Sequence, residues 1–309
     1  MQILFHAGGI DPAPWIQSFK STLPQAQLRE WREGDDAAAD YAVVWKPPAA
    51  MLRGRTELKA IFNLGAGVDA ILQLGDALPP TVPLVRIDDA GMADQMAEYV
   101  THAALGYYRR LDEHAENIRQ RQWRFIMPYE RQDFSIGIMG LGVLGSRIAS
   151  ALAQFNFPLR GWSRTAKQLP GVESFAGDAQ LADFLKGTRL LICVLPLTPH
   201  TQDILNRQTL SALAPESYLI NVARGAHLVE EDLLALVQSG HIKGATLDVF
   251  RQEPLPADHP FWNEPRIVIT PHMSAMTLRA DSVRQISNKI AAIERGEAVA
   301  GVVDLARQY

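Results

Sequence analysis

Residues 134–150 read FSIGIMGLGVLGSRIAS. An apolar run ending at Met139 is followed by Gly140, Gly142 and Gly145 in G-x-G-x-x-G spacing, and then by residues that suit a helix. In a strand–turn–helix each glycine has its own physical reason. Gly140 permits the tight turn, Gly142 lets the backbone approach a pyrophosphate, and Gly145 lets helix and strand pack closely. The first amides of the new helix then face the phosphates. The spacing alone also fits a β-to-α turn without a ligand. Its place between an apolar strand and a helix favours a dinucleotide, with Val143 and Leu144 joining the three glycines as cofactor-binding positions.

Downstream of that loop the chain alternates apolar and helical stretches. The segments PLRGWS, RLLICVL, SYLINVA, GATLDVF and RIVITP read as strands, and LVEEDLLALVQSG reads as a helix that ends at Gly240. Upstream, QILFHA, YAVVWK, LKAIFNL and PLVRID read as strands of a second buried parallel sheet, with PWIQSFKSTL as a helix between the first two. Strands alternating with helices imply open parallel sheets. The stretch from Met92 to Gln122 has no proline and many helix formers, and it predicts a long helix bridging two lobes. The tail AVAGVVDLARQY suggests a strand that returns to the first lobe.

A dinucleotide fold usually carries an Asp or Glu after its second strand, where it accepts from the ribose hydroxyls of NAD. Here that place reads Ser163-Arg164-Thr165, with Lys167 close behind. Hydroxyls and a guanidinium fork suit phosphate oxygens, which an acid would repel. The substitution predicts NADPH over NADH. The duller reading is a solvated turn.

Bulk properties narrow the classes. The chain has 309 residues, 47% of them apolar, enough for two packed domains. A net charge of −4 makes no electrostatic case for a nucleic-acid or membrane-surface partner. The sole cysteine, Cys193, lies in the apolar run LLICVL and reads as a buried, reduced thiol. The N-terminal sequence lacks a signal-peptide pattern, and no apolar run approaches the ~20 residues needed to span a bilayer. A cytoplasmic protein is expected. There is no P-loop, no H-E-x-x-H and no cysteine pair, so no metal site is expected.

Three further pieces, NVARG, DVFRQEP and TPHMSA, stand where strands of the second sheet should end, which is where such sheets bind ligands. Arg224, Glu253 and His272 are the candidate chemical groups. Taken singly, Arg224 fits a helix cap or surface ion pair, Glu253 another acid in a proline-rich loop, and His272 a core histidine. Together, beside a cofactor loop, they favour catalysis.

The ordered set GLGVLG, LPLTPHT, NVARGAHLVEEDLLALVQSGHIKGATLDVF, EPLP and TPHMSA resembles the D-2-hydroxyacid dehydrogenase family over nearly the whole chain. DYAVVWKPP, LGAGVD and FPLRGWSRT are similar to the bacterial A-type glyoxylate/hydroxypyruvate reductases within it. The resemblance implies an α/β protein of two doubly wound parallel-sheet domains. A Rossmann cofactor domain (99–282) would be inserted into a discontinuous flavodoxin-like substrate domain (1–98 and 283–309). It implies a homodimer, NADPH as cofactor, and reduction of small 2-oxo acids: glyoxylate to glycolate, hydroxypyruvate to D-glycerate.

On matching positions, Arg224 would grip the carbonyl oxygen and carboxylate and stabilise the developing alkoxide. His272 would be the general acid. Glu253 would hold the other ring nitrogen and favour the protonated ring. Asp248 would accept from the nicotinamide carboxamide. Leu195 and Pro196, Val222 and Ala223 would line the cofactor path, and Ala275 would place its backbone near the nicotinamide. Gly65, Ala66 and Gly67 would bind the substrate carboxylate through backbone amides. An ordinary glycine turn is the alternative. Trp45 would wall the substrate pocket or simply fill the core, Met92 fits the bridging helix, and Trp123 fits a contact with a second subunit. Two other functions remain open at this stage. One is a different 2-hydroxyacid dehydrogenase of the same fold, and the other is a non-catalytic NADPH-sensing interaction protein.

Overall fold

Every strand pair in the computed structural model, which describes residues 1–305, runs parallel within two separate sheets. The chain divides into two units, residues 1–91 with the segment from Thr277 onward, and residues 92–276.

The first unit holds β1 (Gln2–Ala7), β2 (Gln27–Glu30), β3 (Tyr41–Trp45), β4 (Ala60–Asn63) and β5 (Leu84–Val85), in the order β2-β1-β3-β4-β5. That is the flavodoxin-like order. The central strands are buried on both faces, which is why they read as unbroken apolar runs. The helices Ala13–Thr22 and Arg279–Glu294 belong to this unit and meet through Thr22 and Ser287, whose hydroxyls lie 2.8 Å apart. The expected returning tail is a single antiparallel bridge, Val302 to Val85, flanked by Arg86 N–H to Gly301 O at 2.9 Å and Val303 N–H to Leu84 O at 2.8 Å. The last four residues of that tail lie outside the described residues.

The second unit holds β6 (Ile136–Met139), β7 (Leu159–Ser163), β8 (Val172–Ala176), β9 (Leu190–Cys193), β10 (Ser217–Asn221), β11 (Ile242–Leu247) and β12 (Ile267–Ile269), in the order β12-β11-β10-β9-β6-β7-β8. Successive residues feed opposite faces. Leu190 and Ile192 of β9 join one core with Tyr218 and Ile220 of β10, while Leu191, Cys193 and Leu219 join the other. This period of two across a doubly covered sheet explains the continuous apolar sequence. The fold is the expected pair of parallel-sheet α/β domains.

The long helix expected from Met92 to Gln122 is instead two helices, Met92–Tyr108 and Leu111–Arg119. Arg110 breaks it with a left-handed backbone (φ 58°), and its guanidinium grips both oxygens of Glu113 at 2.6 and 2.8 Å. Gly106 lies inside the first helix and no proline or glycine stands at 109–110, so nothing in the local sequence marks the break. The first helix sends Met96, Val100, Ala104 and Tyr107 into the core shared with Ile148 and Leu152 of the helix Val143–Ala153. Among the described residues no helix is long and apolar enough to cross a membrane.

The helix Val143–Ala153 lies close to the end of β6 only because Gly145 has no side chain. A Cβ there would stand 1.8 Å from the Gly140 carbonyl oxygen. Gly145→Ala should therefore lower stability by about 1–3 kcal/mol through overpacking. Thermal or urea unfolding measures this, and an unchanged midpoint would rule out the close approach.

Candidate active site

The glycine loop begins at the end of β6. Gly140 takes φ +105°, which only glycine adopts without strain, and a Cβ on it would press the Val194 carbonyl oxygen at 2.9 Å. Gly142 is the opposite case. It is the N-cap of the helix Val143–Ala153, it makes no side-chain cap, and a Cβ on it would meet nothing within 4 Å. Gly142 and Val143 are exposed, with Leu144 half-buried beside them. The first amides of a helix have no partners within it, so this uncapped, open end fits the pyrophosphate of a dinucleotide.

At the end of β7, Ser163 is buried and donates its hydroxyl proton to the Thr165 carbonyl at 2.8 Å. In this arrangement it shapes the turn and has no proton left for an anion. Arg164, Thr165 and Lys167 are exposed and face solvent. After β9 come buried Leu195 and exposed Pro196, and after β10 come buried Val222 and Ala223.

Arg224 follows on an extended backbone (φ −142°, ψ 150°), half-buried, with Nη1 donating to the Ala223 carbonyl at 2.7 Å. Two neighbours of Arg224 escaped the sequence reading. Gly225 lies against backbone, since a Cβ there would be 1.9 Å from the Phe250 carbonyl carbon. That contact seats the loop after β10 directly on the loop after β11. His227 is fully buried, with Nδ1 3.2 Å from the Arg224 amide and Nε2 3.3 Å from the Pro196 carbonyl oxygen. The tautomer protonated at Nε2 satisfies both contacts and ties the loops after β9 and β10 together.

Asp248 directly follows β11 and is fully buried. Its Oδ1 accepts from the Thr270 hydroxyl at 2.5 Å and the Met273 amide at 2.8 Å, and its Oδ2 accepts from the Ser274 amide at 2.8 Å. The role expected of Asp248 was an acceptor for a carboxamide. What the fold displays is a clamp on the loop that carries His272.

His272 Nδ1 lies 2.8 Å from Glu253 Oε2, and Glu253 Oε1 accepts from the Phe250 amide at 3.0 Å. The carboxylate is thus oriented by backbone, and it in turn orients the imidazole. With Nδ1–H donating to Glu253, Nε2 is the nitrogen left to face a reactant. Both side chains are partly exposed, at 46% and 37%, so a substrate can reach them.

Because the sheet is parallel, the loops after β12, β11, β10, β9, β6 and β7 all leave from one edge. His272, Asp248, Arg224, Leu195, Gly140 and Arg164 follow that edge in strand order. Such an edge is the ligand-binding side of a doubly wound sheet.

In the first unit, Trp45 at the end of β3 lays its ring on Gly65, where a Cβ would come within 2.3 Å of it. Buried Asn63 donates from Nδ2 to the carbonyls of Gly65 and Gly67 at 2.8 and 2.7 Å, which turns those carbonyls toward the side chain. Ala66 is half-buried between them. Met92 is buried at the start of its helix, while Trp123 is fully exposed. Cys193 is fully buried, which pushes its thiol up to about 12, so it is not a nucleophile.

Residues 101–274 match the family model of the D-isomer specific 2-hydroxyacid dehydrogenase NAD binding domain. The chain is 50% identical, over all of both chains, to a glyoxylate/hydroxypyruvate reductase A from Photorhabdus laumondii, and equally so to one from Serratia proteamaculans. Its structure superposes with a TM-score of 0.94 on a D-isomer specific 2-hydroxyacid dehydrogenase from Xanthobacter autotrophicus in complex with NADPH and MES, at 36% identity over 100% of this chain and 99% of that one. It superposes at 0.92 on an NADPH-dependent glyoxylate/hydroxypyruvate reductase from Sinorhizobium meliloti in complex with NADP and sulfate, at 34% identity and the same coverage. The chain belongs to the D-isomer specific 2-hydroxyacid dehydrogenase family.

Proposed function

We propose that this protein is an NADPH-dependent reductase of small 2-oxo acids, taking glyoxylate to glycolate and hydroxypyruvate to D-glycerate. The observation that carries the proposal is the His272–Glu253 pair at 2.8 Å, on the sheet edge that also bears Arg224 and the open glycine loop. The names of the relatives and their NADPH or NADP complexes support the same reading.

Bound NADPH would supply the hydride that reduces the carbonyl carbon. The chain's own residues do the rest. Gly140, Gly142 and Gly145, with Val143 and Leu144, cradle the pyrophosphate. Arg164, Thr165 and Lys167 take the 2′-phosphate, and Ser163 fixes the turn that presents them. Leu195, Pro196, Val222 and Ala223 line the cofactor path, Asp248 and Ala275 lie toward its nicotinamide end, and Asp248 also holds the His272 loop. Arg224 places a fixed positive charge where the ketone oxygen turns anionic. His272 gives that oxygen its proton from Nε2, while Glu253 stabilises the imidazolium and fixes the ring. For the first unit we keep the roles of Gly65, Ala66 and Gly67 as carboxylate binders and of Trp45 as a pocket wall.

We also propose a homodimer. Five large apolar side chains, Leu111, Ile118, Trp123, Phe125 and Met127, are exposed within residues 111–127, and exposed apolar side chains so near in the chain suit an association surface. The lone buried cysteine fits the cytoplasmic setting.

Loss of NADPH absorbance with glyoxylate or hydroxypyruvate tests the activity. Tight NADPH binding without turnover of any 2-oxo acid would instead favour a sensor. Arg164→Ala should weaken NADPH roughly ten- to hundredfold and NADH little, the worth of a charge-assisted hydrogen bond. Gly142→Ala should weaken both cofactors alike and cost at most about 1 kcal/mol of stability, because its Cβ meets no protein atom and only the N-cap preference is lost. Equal losses for both cofactors in Arg164→Ala would defeat the phosphate assignment.

His272→Ala should cost about a hundredfold or more in kcat, and Glu253→Gln should lower kcat by weakening the 2.8 Å contact that orients the ring. An active His272→Ala variant would remove His272 from the mechanism. Sedimentation of the wild type should give a dimer, and Trp123→Asp with Phe125→Asp should shift it toward monomer. A wild-type monomer at micromolar concentration would refute the dimer.

A further inference from the structure

One face of a single helix ties down the loop that carries His272 at both ends. Gln95 and Tyr99 stand one turn apart on the helix Met92–Tyr108. The Tyr99 hydroxyl lies 2.6 Å from the Thr270 hydroxyl, just before His272. The Gln95 side chain brackets the Met276 backbone, donating to its carbonyl at 3.0 Å and accepting from its amide at 3.2 Å. Between these ties, His272 adopts a left-handed backbone with φ +54°. That conformation is costly for a residue with a Cβ and persists only where its surroundings over-determine it. Here they do. The His272 amide is 2.9 Å from the Asp248 carbonyl oxygen and 3.1 Å from that of Thr270, and the next two amides donate to the Asp248 carboxylate.

The direction of the hydrogen bonds can be worked out. Thr270 has one hydroxyl proton, and it goes to Asp248 Oδ1 at 2.5 Å. An ionised carboxylate only accepts, so the Thr270 oxygen must accept from Tyr99. The chain therefore runs Tyr99 O–H to Thr270 O–H to Asp248. Burial raises the Tyr99 phenol above its ordinary value, and the charge of Asp248 adds to this, so the tyrosine keeps the proton it donates.

We propose that Tyr99, acting through Thr270 and Asp248, is a positioning residue for His272, with Gln95 as the second tie on the same loop. This rests on the reading of His272 as the proton donor. Tyr99 touches neither a reactant nor the imidazole. It fixes Thr270, so that Asp248 stays aimed at the amides that hold His272 in its strained conformation. A tyrosine that only filled the core would not need the threonine hydroxyl.

The test compares the full-length wild type with Tyr99→Phe, Thr270→Val and Thr270→Ser. Amide hydrogen exchange of residues 270–276, measured without cofactor or substrate, reads the loop directly. Tyr99→Phe and Thr270→Val should speed exchange at Met273 and Ser274 by about tenfold, the worth of one hydrogen bond. With hydroxypyruvate, kcat should fall about three- to tenfold while NADPH Kd stays within about twofold. Thr270→Ser, which keeps the hydroxyl, should restore both. Unchanged exchange and kcat in Tyr99→Phe, or a Thr270→Ser as impaired as Thr270→Val, would overturn the proposal. Should Tyr99→Phe fail to fold, the Thr270 pair decides it. Should the wild type reduce no 2-oxo acid, the functional reading falls, and exchange alone still decides whether Tyr99 orders the loop.

Discussion

Parallel pairing is the constraint on which the second unit depends. Each parallel strand needs a crossover over one face of the sheet, so both faces are covered and the strands are apolar throughout. The same constraint sends every strand's C-terminal loop to a single edge. Residues that share no local sequence, from Gly140 to His272, are gathered there by topology. The winding reverses between β6 and β9, which are neighbours in the sheet although β7 and β8 intervene in the chain. The glycine loop opens at that reversal, where two loops diverge and leave room for a ligand.

The sequence was legible where one physical cause dominated. Central strands such as β9 and β10 are buried on both faces, and their apolar runs showed it. The edge strands β2 and β8 did not stand out, because QLRE and VESFA mix polar with apolar residues and only Phe175 among them is buried. An edge strand has only one neighbour, and its composition reflects the solvent it meets. At the proposed site, the glycine spacing and the order of Arg224, Glu253 and His272 stand out in the sequence because the chemistry proposed for them restricts residue type. Gly225 and His227 were not. Their reasons are a backbone contact with Phe250 and a bridge to Pro196, and both depend on how distant loops stack. Tyr99 and Thr270 are 171 positions apart, so no local pattern joins them.

Charge is handled differently at the two ends of the proposed cofactor. At the adenosine end the groups are exposed side chains, Arg164, Thr165 and Lys167, on a turn that Ser163 braces from below. Exposed groups are easily rearranged and screened by salt, so the proposed discrimination there would rest on having a cation where an acid would repel phosphate. At the reactive end Arg224 is half-buried, and its surroundings are set by the fully buried Asn221, His227 and Asp248. Burial of those three groups strengthens their electrostatics and fixes them before charge develops. On the proposed reading, one end selects the ligand while the other holds geometry.

The proposed proton donor, His272, shows how that geometry is kept. A glycine at 272 would relieve the left-handed backbone but could carry no imidazole, so the fold accepts the strain and compensates for it. It does so from one place. The main chain of the His272 loop is held by Asp248, the first residue after β11, and the ring is held by Glu253, whose other oxygen is fixed by the Phe250 amide two residues further along. Backbone and ring of the same histidine are therefore both referenced to the end of one interior strand. A loop that takes its coordinates from a strand buried in the sheet inherits the rigidity of the sheet. The imidazole can then stand open to solvent, within reach of a small reactant, without its nitrogen wandering.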